Sequence, residues 1–154
     1  MNKNNKNWNE CAELLNVIAK DAKWDKAKLP YYEVNIEVVT ERVKKTTARY
    51  GFNTPKKYDI FTDFYSTLEG HLYKKLMNHW LNGTLTDGMY MGDDNYSDFI
   101  NEILAHGYDA YCEVMEDWTA AKKYVDDYRE SFRYCLHFMY EHKMIENGEI
   151  IRNV

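Results

Sequence analysis

Proline is the rarest constraint-setter in this chain and the most informative one. Only Pro30 and Pro55 occur in 154 residues, and both stand where a helix can begin. Proline is tolerated at a first helical position because that N–H has no helical partner in any case. Gly51, Gly83, Gly88, Gly92 and Gly148 punctuate the rest of the chain. The segments between them are long, and their apolar residues recur with the helical period.

Five helices are expected on that pattern. The first covers about residues 9–24, with Cys11, Leu15, Ile18 and Ala22 on one stripe. The second covers about 30–50, with Tyr32, Ile36, Val39, Val43 and Tyr50 within about 40 degrees of one another on a wheel. The third takes Thr54 as N-cap and Pro55 in its first turn, and ends near Gly83. Its stripe is Phe61, Phe64, Tyr65, Leu68, Leu72, Leu76 and His79. The fourth starts near Asp94 or Asn95 and runs through Gly107 to Trp118, with Tyr96, Ile100, Ile103, Ala110, Tyr111 and Val114 inward. The fifth starts with Thr119 as cap and ends before Gly148, on a stripe of Val125, Tyr128, Phe132, Cys135, Leu136 and Met139.

The expected architecture is all-α, a compact bundle of about five helices. Residues 1–8 are read as a flexible tip, 9–148 as one helical domain and 149–154 as a tail. Two stretches carry a competing signal. Residues 32–38 alternate with period two and are rich in β-branched side chains, as a strand would be. Asp87-Gly88 between short apolar pieces is a hairpin signal and allows a small β-hairpin near residues 84–91. Tyr31, Val34 and Val38 form a second apolar strip on the second helix. Such a strip is either central in the bundle or a homodimer contact.

Composition narrows the function classes. No apolar run is long enough for a membrane span, and the polar N-terminal residues lack a signal-peptide core. Cys11, Cys112 and Cys135 are an odd number without a CxxC spacing, so a disulfide framework is disfavoured and a cytoplasmic setting is the default. The sequence has no GxxxxGK[ST] or GxGxxG phosphate loop.

Glu102/His106 and His137/Glu141 are i, i+4 pairs, but the di-iron pattern needs Glu-x-x-His. Asp93, Asn95 and Ser97 imitate the start of a calcium loop, yet its sixth position is Asp98 and its twelfth Leu104. Cys135 and His137 point apart on a helix and cannot form a dyad, and His79 reads as a core histidine. Helical nucleotide pyrophosphatases pair Glu-x-x-Glu with a downstream Glu-x-x-Asp, whereas Glu10/Glu13 and Glu113/Glu116 are isolated halves. No metal, cofactor or catalytic residue is assigned.

Charge is the pointer that remains. The chain carries −5 overall, but residues 1–75 carry +4 and residues 122–154 are neutral. Residues 76–121 hold no lysine or arginine and nine acids: Asp87, Asp93, Asp94, Asp98, Glu102, Asp109, Glu113, Glu116 and Asp117. On one continuous helix, Asp98, Glu102, Asp109, Glu113 and Glu116 fall within roughly 60 degrees, opposite the apolar stripe. With Tyr90 and Tyr108 as nearby aromatics, that ridge suits a partner with a basic nucleic-acid-binding groove.

The expected function is thus a non-enzymatic protein-binding module. The analogy in composition is with small acidic inhibitors from viruses and mobile elements, of the anti-CRISPR or antirestriction type. Two alternatives stand beside it. One is a small helical enzyme or ligand-binding domain with a site inside the bundle. The other is a nucleic-acid binder using the basic patch around residues 44–57, which holds Lys44, Lys45, Arg49, Lys56 and Lys57. The acidic balance weighs against direct nucleic-acid contact.

Overall fold

The computed structural model describes residues 5–31, 33–86, 93–129 and 132–146. Among them the regular structure is helical. It comprises α1 (Lys6–Ala22), α2 (Ile36–Arg49), α3 (Pro55–Leu81), α4 (Asp93–Ala105), α5 (Tyr108–Glu116) and α6 (His137–Glu146). Three 3-10 turns, Trp24–Ala27, Trp118–Tyr124 and Phe132–Leu136, link them. An all-α class fits this content. No helix among the described residues is long and apolar enough to cross a membrane.

The helix starts follow side-chain capping. Asn5 accepts from the backbone N–H groups of Asn7 and Trp8, which sets the start of α1 at Lys6, inside the expected tip. Thr54 caps α3 with Pro55 in its first turn, as the sequence predicts. α2 begins at Ile36 rather than Pro30, because Asn35 accepts from Val38 N at 3.3 Å. Ahead of it the chain folds back at Pro30 and Tyr31. Leu29 N donates to Glu33 O at 3.0 Å and Asn35 N to Ala27 O at 2.9 Å, around a single antiparallel bridge between Lys28 and Val34. The period-two alternation therefore marks a short pairing, and the predicted helix is six residues shorter at that end because its cap lies at Asn35.

The second apolar strip is divided by the same turn. Val34 is buried in the core, Val38 is exposed on α2, and Tyr31 stands 91% exposed at the turn with φ +63°. The three do not share one helix face. Of the expected hairpin, residues 84–86 lie in a turn after α3, and 87–91 fall outside the described residues.

The core forms on the predicted stripes of α1 and α3. Cys11, Leu15, Ile18 and Ala22 are buried, as are Phe61, Phe64, Tyr65, Leu68, Leu72 and Leu76. Trp80 continues the α3 stripe, whereas His79 is half-buried and stacks on Trp118, ring centroids 3.6 Å apart. Burial pushes the Cys11 and Cys135 thiols up to about 12, so both are protonated at neutral pH.

Two expected helices are broken. The fourth stops at Ala105 and restarts at Tyr108, with Gly107 between. The fifth is reduced to 3-10 turns, bends and α6. Asp117, not Thr119, caps the turn at its start and accepts from Thr119 N at 3.1 Å. Phe132, Cys135, Leu136 and Met139 still reach the core from this irregular stretch.

Candidate functional site

The corner between α4 and α5 organises the polar chemistry. Gly107 has φ +102° and ψ 177°, a region essentially reserved for glycine. It provides no side chain to cap α5. Asn16 of α1 does so from outside: its Oδ1 accepts from Asp109 N at 3.1 Å, and its Nδ2 donates to Asp109 Oδ1 at 3.2 Å. This reciprocal pair has the logic of a capping box, built across two helices rather than within one.

α4 is buried along its last two turns on every side. Phe99, Ile100, Ile103, Leu104 and Ala105 are core residues, and so are the polar pair Asn101 and Glu102. Glu102 therefore does not belong to a solvent-facing ridge, because the helix that carries it has no solvent face there. Only 2% of it is exposed, and it is fully occupied. Its Oε1 accepts from Trp24 Nε1 at 2.9 Å and Arg129 N at 3.3 Å; its Oε2 accepts from Lys28 Nζ at 2.8 Å and meets His106 Nε2 at 3.1 Å. Lys28 also reaches Asp25 at 2.8 Å and Asp127 at 3.3 Å. Burial alone would lower the Lys28 pKa, but its bonds to Asp25 and Glu102 raise it overall.

Asp25, Glu102 and His106 bring one ligand atom each within 4.8 Å of one another. In this arrangement the Lys28 ammonium already lies 2.8 Å from both carboxylates. The protein supplies its own cation there.

Asn101 anchors a second network on the adjoining face of α4. Its Oδ1 accepts from the buried Tyr65 hydroxyl, and its Nδ2 donates to Glu69 Oε2 at 3.0 Å and Ser97 O at 3.1 Å. Arg133 stands 3.9 Å from Glu69. Burial raises the Glu69 pKa, against the opposing pull of Arg133 and Asn101. A folded-state pKa above the unfolded one means a contribution present at low pH and lost as pH rises through the folded value. Glu69→Gln should therefore gain stability relative to wild type as pH rises through the acidic range. Thermal midpoints at pH 4 and pH 7 check this; a Glu69→Gln midpoint that falls relative to wild type between the two contradicts it.

Beside the Glu102 cluster lies a cleft of about 450 Å³. One wall is the end of α1 and the turn after it, with Asn16, Lys20, Lys23 and Lys26. The other is the α4–α5 corner, with Ala105, His106 and Asp109. Sequence reading missed this site, because Lys20, Lys23 and Lys26 lie some 80 residues from His106 along the chain. Their spacing of three was the available signal.

The expected partner-binding acids are dispersed by the corner. Asp109, Glu113 and Glu116 are exposed on α5, with Asp117 just beyond. Asp98 is half-buried on α4. Asp87 and Tyr90 lie outside the described residues, as do the side chains of Asp93 and Asp94. Glu113 pairs with Lys123. Tyr108 is no exposed aromatic: its hydroxyl accepts from Trp8 Nε1 at 3.1 Å, and its ring packs among Trp8, Phe64 and Tyr111. In the basic patch, Lys44 pairs with Glu41 at 3.7 Å, Arg49 with Asp21 at 2.5 Å and Lys57 with Glu10 at 3.7 Å.

No family model matches the chain, and neither a curated protein nor a solved structure matches it.

Proposed function

We propose that this chain is a non-enzymatic, cytoplasmic protein-binding module whose acidic α5 face engages a basic, nucleic-acid-binding surface on its partner. One observation carries the reading. Asp109, Glu113 and Glu116, at i, i+4 and i+7, lie on one face of α5, all exposed, in a stretch of 46 residues without lysine or arginine. Glu102 and Tyr108 drop out of the contact set, being committed to the interior. Trp118, half-buried beside Asp117, supplies the neighbouring aromatic surface. Lys123 bounds the row at Glu113, and an exposed, solvent-screened pair of that kind contributes little. A partner arginine can therefore exchange for it at little cost. In its specific form the module is an inhibitor of the anti-CRISPR or antirestriction type, occupying the groove that nucleic acid would otherwise fill.

The test compares proteins captured by the wild type with those captured by the Asp109→Lys, Glu113→Lys, Glu116→Lys variant. The expected result is a protein retained only by the wild type, displaced by added duplex DNA, whose association slows as salt rises. The Lys44→Glu, Lys45→Glu, Arg49→Glu variant should retain it. If only the basic set matters, or if DNA displaces nothing, the reading is wrong.

A further inference from the structure

We infer that the cleft between α1 and the α4–α5 corner binds the phosphate group of a small, hydroxyl-bearing phosphorylated molecule. The inference shares Asp109 with the acidic face of α5 and rests otherwise on different residues.

Its volume of about 450 Å³ lies in the range of small-molecule sites. Lys20, Lys23 and Lys26 line it, and none of them makes an ion pair among the described residues. The carboxylates near them are each engaged by another group: Asp21 by Arg49 and Thr46, Asp25 by Lys28 and Asp109 by Asn16. Three ammonium groups with no carboxylate in ion-pair contact are point charges available to an oxyanion.

Backbone geometry gives an independent reason to single out Lys23. It follows the last residue of α1 with φ +50° and ψ +51°, the left-handed conformation in which helices usually place glycine. A lysine is disfavoured there. Its presence puts a cation at the cleft at the expense of local backbone energy, a pattern associated with functional positions.

His106 supplies the complementary part. The Glu102 carboxylate can only accept, so Nε2 carries a proton towards it. Nδ1 has no partner among the described residues. With the Asp109 carboxylate on the same wall, the cleft offers acceptors for hydroxyl groups beside cations for phosphate. The divalent-cation alternative is answered by Lys28, whose ammonium already sits between Asp25 and Glu102.

The experiment is an amide NMR titration with inorganic phosphate and with glycerol phosphate, ionic strength held constant with sodium chloride. Saturable shifts should centre on residues 16–26 and 105–109, and glycerol phosphate should bind more tightly than inorganic phosphate. The decisive variant is Lys23→Gly. It should raise the thermal midpoint by relieving the left-handed lysine, and weaken phosphate binding about tenfold by removing one charge-assisted contact. Lys45→Gln, equal in charge change and exposed on α2, should leave the affinity unchanged. Unaltered affinity in Lys23→Gly, shifts spread evenly over Lys44, Lys45 and Lys56, or no saturable shift with either phosphate overturns the inference.

Discussion

Replacing Glu102 by alanine should cost about 3–5 kcal/mol of stability, the range measured when one member of a buried ion pair is removed. For a chain of this length that lowers the thermal midpoint by on the order of 10 °C. The reason lies in its connectivity. Glu102 accepts from Trp24, Lys28 and the Arg129 backbone, and meets His106. Its loss leaves a buried indole N–H without its acceptor, takes from a nearly buried ammonium the one buried carboxylate among its three partners, and opens a cavity as well.

Lys28→Met should cost clearly less, by at least about 1 kcal/mol. Glu102 keeps three of its four contacts in that variant, and the butyl stem of lysine is replaced by a side chain of similar volume. Denaturant midpoints of the two variants decide the matter. Equal or greater loss in Lys28→Met would show that the ammonium, and not the carboxylate, is the centre of the cluster.

Gly107→Ala is the second large effect, expected at about 2–4 kcal/mol. The backbone contribution is about 1–3 kcal/mol, since φ +102° with ψ 177° is a conformation that side chains rarely allow. A Cβ at this position would also meet Asn16 Oδ1 at 2.8 Å and Ala19 Cβ at 3.3 Å. The Asn16 side chain cannot simply swing aside, because it caps α5 through Asp109. Losing that cap adds about 1 kcal/mol, so Asn16→Ala and Gly107→Ala should be less than additive in combination.

Gly70→Ala is the matched control. It lies within α3, and a Cβ there meets nothing within 4 Å. Alanine should stabilise that helix by about 0.5–1 kcal/mol. If both alanines shift the midpoint in the same direction, the account of the corner is incorrect.

The acidic face and the cleft meet at this corner, with Asp109 part of both. Gly107→Ala therefore also reports on function: a variant that remains folded should show altered phosphate shifts at residues 105–109, whereas Gly70→Ala should not.

The sequence by itself determined the helical class, the α3 cap at Thr54 and Pro55, and the inward stripes of α1 and α3. These are local matters. Periodicity is read along one segment, and a capping side chain bonds to backbone within three residues of itself. It did not determine where a helix stops when the reason lies on another helix. A continuous apolar stripe runs through Gly107, and only Asn16 and Ala19 of α1, pressed against that glycine, reveal the corner. Nor could a helical wheel separate Glu102 from Asp109 and Glu113. A wheel assigns the face opposite the apolar stripe to solvent, which holds for a helix with one packed side. α4 is packed on all sides over its last two turns, so its polar face is interior and needs partners. Those partners, Trp24, Lys28 and Arg129, lie 78, 74 and 27 residues away in the chain. Tertiary structure alone decided that Glu102, in the stretch without lysine or arginine, would be a core residue and not a surface one, because burial of a carboxylate depends on donors that only the folded chain brings together.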